Sequence, residues 1–158
     1  MKSKRKCLPP FREIRNTIQK VEGWLTENEA KYLYSLAYRG PGKGALVEIG
    51  SWKGKSTIVL ATGSRAAGRE RVYAIDHHKG GLDQEGLGYV EVDTEAEFRQ
   101  NIKNAGIEDY VVPMVRNPVK RFKSGRDRSG FYGLMGIMIM KPLRMTFYYG
   151  NLTSFQGA

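Results

Sequence analysis

The segment Leu46–Thr57, L-V-E-I-G-S-W-K-G-K-S-T, constrains the fold more than any other part of the chain. An apolar run, Ala45-Leu46-Val47, meets an acid at Glu48. Glycines follow at Gly50 and Gly54, then hydroxyls at Ser56 and Thr57, and residues 58–61 open a helical pattern. This is a buried strand, a tight turn and a helix start. In open α/β sheets ligands bind at the carboxyl ends of strands, where such a turn leads into a helix. Glycine there lets backbone approach a ligand closely.

Three ligand classes use turns of this kind. A P-loop requires G-x-x-x-x-G-K-[ST], so that enough backbone N–H groups wrap the phosphates. Here only three residues separate Gly50 from Gly54, and the Glu48 carboxylate would repel phosphate. A dinucleotide turn requires G-x-G-x-x-G, and Trp52 occupies its second glycine position. S-adenosylmethionine (SAM) has no phosphate and carries a positive sulfonium and amine, which suit an acid beside a glycine turn. The next apolar run, R-V-Y-A-I-D, ends in Asp76, 26 residues after Gly50. An acid at the end of the second strand is where nucleoside-binding βαβ units hold a ribose diol.

Residues 21–116 resemble a class I SAM-dependent methyltransferase of the branch whose first motif reads V-E-I-G-S-x-x-G-[KR]-S-T. The lead-in V-E-G-W-L-T-E-N-E-A (21–30), V-Y-A-I-D-H-H (72–78) and F-R-Q-N-I-K-N-A-G-I (98–107) are similar to that branch. The resemblance implies that Glu48, Gly50, Ser51 and Gly54 line the methionine half of the cofactor. Ser56 would sit beside it at the helix start, and Asp76, with His77, would hold the ribose. Taken singly, Ser56 also reads as a helix cap, and His77 and His78 as solvated loop residues. The resemblance identifies no catalytic base and no metal ligand.

Local signals extend this to an α/β fold, a Rossmann-like doubly wound parallel sheet that is incomplete after its third strand. An amphipathic segment is expected near 11–20. Thr26 and Glu29 form a capping box for a helix with Leu33, Leu36 and Ala37 on its apolar face, ending near Arg39 before Gly40-Pro41-Gly42. Strands are predicted near 45–49, 71–76 and 110–115. Helices are predicted near 55–66 and from Thr94, as cap, to Ala105, with Gly106 beyond its end. Residues 79–93 read as a loop at the ligand-binding end of the sheet.

The net charge of +10 suggests nucleic acid, but its distribution does not. Residues 1–20 and 117–158 each carry net +6, leaving net −2 for 21–116. The basic charge thus lies in two ends that need not form one surface. A single cysteine, Cys7, precludes an internal disulfide and fits a reducing cytoplasm. The basic start lacks the apolar stretch of a secretory signal, and no run reaches membrane-span length.

After Val115 the α/β rhythm stops. The family would continue with a strand ending in D-G-x-H, and none is present. Four of the six methionines fall at 135, 138, 140 and 145. Methionine has a single codon, so each one constrains the overlapping frame. Read from the third base of each codon, Met135-Gly136 must give glycine, Met138-Ile139 and Met145-Thr146 aspartate, and Met140-Lys141 glutamate. Phe131-Tyr132, Phe147-Tyr148 and Tyr148-Tyr149 must each give leucine. With permitted codons elsewhere, residues 130–152 read L-L-W-I-D-G-D-H-D-Y-E-A-V-K-D-D-F-L-L-W-E-P. That supplies the missing motif, then an acidic amphipathic helix. The expected organisation is therefore a basic tail (1–20), a SAM-binding half-domain (21–116) and a frameshifted or disordered tail (117–158), the break lying near the codons for 115–117.

The function expected is methyl transfer from SAM to a small-molecule or saccharide-like hydroxyl, in a copy that retains the cofactor half-site but lacks the second half needed for catalysis. The alternatives are a P-loop-like nucleotide-binding protein and a basic RNA- or DNA-binding module without catalysis.

Overall fold

The computed structural model describes residues 11–40, 45–80, 92–116, 136–141 and 144–149, the last two as backbone strands. In chain order the elements are α1 (Phe11–Ile18), α2 (Glu27–Arg39), β1 (Ala45–Ile49), α3 (Lys55–Ala66), β2 (Val72–Asp76), α4 (Glu95–Asn104), a 3-10 turn (Glu108–Tyr110) and β3 (Val111–Val115). Two further strands follow, β4 (Gly136–Lys141) and β5 (Arg144–Tyr149).

The sheet order is β3-β2-β1-β4-β5. β1, β2 and β3 are parallel, with Leu46 opposite Val72 and Val72 opposite Val111. Helices connect them, as parallel pairing requires, and this is the incomplete Rossmann-like arrangement expected. β4 instead runs antiparallel to β1, with Ile137 opposite Glu48, and β5 antiparallel to β4. No strand was expected after Val115, because Gly and Tyr interrupt any regular face there. The tail is expected to pack poorly, and the side chains that would decide this, those of Phe131, Leu134, Ile137 and Phe147, lie outside what the structure describes.

The core is built around α3, whose Ile58, Val59, Leu60 and Ala61 are all buried. A helix apolar on more than one face has to be covered on more than one side. The sheet side is closed by Leu46, Val72, Ala74 and Val111, and the outer side by Leu33, Tyr34 and Ala37 of α2. Gly63 permits that approach, because a Cβ there would lie 2.8 Å from the Tyr34 carbonyl oxygen. α1 joins the same core through Ile14 and Ile18, so the folded unit reaches back into the expected basic tail.

Helix ends follow local chemistry. The Glu29 N–H donates to Thr26 Oγ1 at 3.3 Å, and the Thr26 N–H to Glu29 Oε2 at 2.8 Å, completing the expected capping box. Gly106 takes φ 62° just beyond α4, as expected. Thr94 occupies the N-cap of α4 but makes no side-chain cap. Its Oγ1 lies 2.9 Å from His78 Nδ1, and Asp93 Oδ1 accepts the Glu95 N–H at 3.2 Å instead. Thr26→Ala removes an N-cap and should lower stability by about 1 kcal/mol. Urea denaturation at neutral pH measures this, and an unchanged midpoint would mean that the box adds nothing.

Candidate functional site

The turn between β1 and α3 is built on two left-handed glycines, Gly50 at φ 81° and Gly54 at φ 90°. Both conformations are costly for any residue bearing a Cβ. The Gly50 N–H donates to the Ile75 carbonyl at 2.9 Å, joining the turn to β2, and the Gly54 N–H to that of Ser51 at 2.8 Å. A Cβ on Gly54 would meet the Phe98 ring at 3.1 Å, so α4 packs directly on the turn. Asn101 Nδ2 of the same helix donates to the Lys53 carbonyl at 2.9 Å.

Glu48 lies beneath this turn, fully buried at 0% exposure. Ser56 Oγ donates to its Oε1 at 2.5 Å, and Thr57 Oγ1 donates to its Oε2. Both hydroxyls sit in the first turn of α3, where the helix dipole favours negative charge. Burial nonetheless dominates and pushes the carboxyl up to about 7, with the neighbouring Asp76 charge raising it further. Ser56 is therefore a ligand of Glu48 rather than a helix cap, since Gly54 holds the N-cap without a side-chain bond. In a P-loop the Ser/Thr hydroxyl serves a phosphate-bound magnesium ion. Here both hydroxyls are turned to a carboxyl.

Asp76, at the end of β2, ties two loops together. Its Oδ2 accepts the Trp52 N–H and its Oδ1 the His78 N–H, both at 2.8 Å. Each oxygen keeps a further lone pair for a ligand hydroxyl. His77 is half-buried, and its Nδ1 accepts the Lys79 N–H at 3.0 Å. His78 is not the solvated residue expected. It is buried, bonded to Thr94, and its ring centroid lies 5.1 Å from that of Phe98. Burial lowers its pKa below the ordinary value, which favours neutral imidazole at neutral pH.

The sequence-predicted residues Glu48, Gly50, Ser51, Gly54, Ser56 and Asp76 thus meet at one end of the parallel strands, with His77 at the margin. Ser51 is buried, and its Oγ has no hydrogen-bond partner among the described residues. A buried hydroxyl without a partner is costly, and a bound polar ligand would relieve that cost. Thr57, Trp52 and Asn101 were missed. The motif itself displayed the Thr57 hydroxyl, whereas the roles of Trp52 and Asn101 depend on contacts between distant segments.

The buried carboxyl should leave a pH signature. The unfolded-state pKa of Glu is about 4.3, and in the fold it is near 7. The folded chain therefore binds the proton more tightly. Stability from this group is full below about pH 4 and is lost as pH rises through 7, a change of roughly 3 kcal/mol. Glu48→Gln mimics the protonated form, so it should flatten the profile and be the more stable form above pH 7. Parallel profiles for the two proteins in urea would exclude this assignment.

Comparison with known families gives one match, described as a methyltransferase domain, over residues 47–130. It begins within β1, takes in the glycine turn, Asp76 and α4, and ends before β4. The site residues all fall inside it, and the chain belongs to the methyltransferase-domain family.

Proposed function

We propose that this chain is a SAM-dependent methyltransferase domain whose donor site is the β1–α3 turn, and that its acceptor is a small molecule bearing a hydroxyl. The observation that carries this reading is the pairing of a glycine turn with two acids, Glu48 and Asp76, at the ends of adjacent parallel strands. A cationic donor without phosphate matches these charges. The buried Ser51 hydroxyl adds a polar group suited to a ligand.

SAM supplies an activated methyl whose C–S bond breaks as a C–O bond forms to the acceptor, the sulfur leaving as a neutral thioether and the acceptor proton passing to solvent. The chain's own part is positional. Gly50 and Gly54 admit the donor to backbone, Ser51 bonds it, and Asp76 receives the ribose hydroxyls while holding Trp52 and His78 in place. With a carboxyl near 7 beneath the turn, a bound cation favours the ionised form of Glu48. Donor binding should therefore release protons at about pH 7 and strengthen as pH rises through that value.

The same reading takes the chain from about residue 117 onward as translated out of the domain's frame. The codons fixed by Met135, Met138, Met140 and Met145 support it. So does the antiparallel strand beside β1, where a doubly wound sheet carries a parallel one. The family match runs on in the present frame to residue 130, which counts against a break as early as codons 115–117, and the window to resequence from genomic DNA is Val111 to Gly130. A base gained or lost there is the expected result, and an intact frame overturns it.

Calorimetry on the full chain tests the donor site. SAM should bind the wild type. Ser51→Ala should weaken binding about fivefold, the equivalent of one hydrogen bond. The same change should leave the unliganded protein no less stable, because it removes a buried hydroxyl that lacks a partner. Absence of SAM binding to the wild type would overturn the functional reading, and equal binding by the variant would remove Ser51 from the site.

A further inference from the structure

The donor turn carries an aromatic feature that donor binding does not explain. Trp24 is the most exposed of the large hydrophobic residues among the described residues, at 58%. It stands beside Trp52, with ring centroids 5.5 Å apart and planes tilted by 49°. Trp52 occupies the middle of the turn at φ 48°. A non-glycine residue there costs of order 1 kcal/mol or more, and such strain persists where the surroundings enforce it. Here they do, since Asp76 accepts the Trp52 N–H and Asn101 holds the next carbonyl.

The strand of chain bearing Trp24 is fixed to the same turn. Lys55 Nζ donates to the Gly23 carbonyl at 3.0 Å. Lys53 Nζ lies 2.8 Å from Glu22 and 2.7 Å from Glu97, joining this segment to α4. An exposed indole is usually mobile and avoids water where it can. This one follows Gly23, held by Lys55, and precedes the buried Leu25, yet its ring stays open to solvent at the rim of the turn.

We propose that Trp24 and Trp52 form the wall on which the methyl acceptor lies, and that this acceptor is a neutral glycoside ring. The inference rests on the methyltransferase reading. In-line transfer requires the acceptor oxygen close to the donor methyl, so the acceptor's binding groups must border the donor turn, as these two rings do. An indole face accepts the C–H face of a pyranose, and the polar edge of such a site binds its hydroxyls. Glu22 and Glu97, half-exposed beside the pair, are hydrogen-bond acceptors for those hydroxyls. A cationic acceptor would also suit rings and carboxylates. That place is already taken by Lys53, whose Nζ lies 5.7 Å from the Trp52 ring centroid and bridges both acids. A flat phenol could also donate to the carboxylates but lacks the saturated C–H face, and catechol in the titration below separates the two.

The sequence holds only two tryptophans, so intrinsic tryptophan fluorescence reports on this pair alone. The full chain is titrated with methyl glucoside and methyl mannoside, with and without SAM, against catechol and choline. A saturable emission change with a glycoside is expected. Trp24→Ala should weaken glycoside binding, read by calorimetry, about fivefold or more, and Trp24→Phe should restore part of it. SAM affinity should stay within about twofold in both variants. Silence toward both glycosides in a chain that binds SAM overturns the proposal. So does a response to catechol or choline instead, or glycoside binding that survives Trp24→Ala. Failure to bind SAM overturns the methyltransferase reading separately, because the glycoside titration without SAM still reads the wall.

Discussion

The site depends on a single buried carboxyl. Glu48 is the penultimate residue of β1, just before the turn into the helix at the centre of the core, and it is fully buried. A carboxyl so placed must find its hydrogen bonds inside the protein. It takes them from Ser56 and Thr57, which can reach it only if α3 begins immediately beyond the turn. That requirement fixes the start of the helix, and the helix start fixes the turn. Gly50 and Gly54 are the backbone consequence, since the chain must reverse within few residues while Phe98 of α4 presses on Gly54. The charge logic of the proposed donor site and the packing logic of the core therefore meet in one residue.

Much of this was legible because it is local. The capping box at Thr26 and Glu29, the glycine beyond α4 and the strand–turn–helix at 45–66 are each fixed by residues a few positions apart, and each lies where expected. Thr94 was read as a cap because its spacing to Glu97 fits one. The structure gives its hydroxyl to His78, a residue 16 positions away that sequence spacing cannot bring near. His78 itself was read as solvated because a histidine pair after a strand has no apolar pattern around it. Its burial comes from Phe98, whose role was legible only as part of the helical face of α4.

The other half of the sheet lay beyond such reasoning for a different reason. Residues 117–130 carry no periodicity, and glycines and tyrosines interrupt any helical face over 131–149, so no pattern assigned them to β1's free edge. An open edge of a parallel sheet presents unpaired N–H and C=O groups and accepts strands of either direction. β4 satisfies that edge in the antiparallel sense. Edge pairing rests on backbone hydrogen bonds, which any sequence without proline can supply. It is thus a weaker statement about the sequence than the pairing of β1 with β2, where Leu46 and Val72 are buried together.

The segment between β2 and α4 is closed at its base. The Thr94 N–H donates to the His78 carbonyl at 3.0 Å, and Lys79 Nζ meets Asp93 at 2.6 Å. The two ends of this segment are thus fastened to each other. Lengthening a flexible loop costs little once its ends are joined. A change of length between these two ends therefore costs the sheet and core little. The clasp is itself joined to the end of β2, because the His78 N–H donates to Asp76.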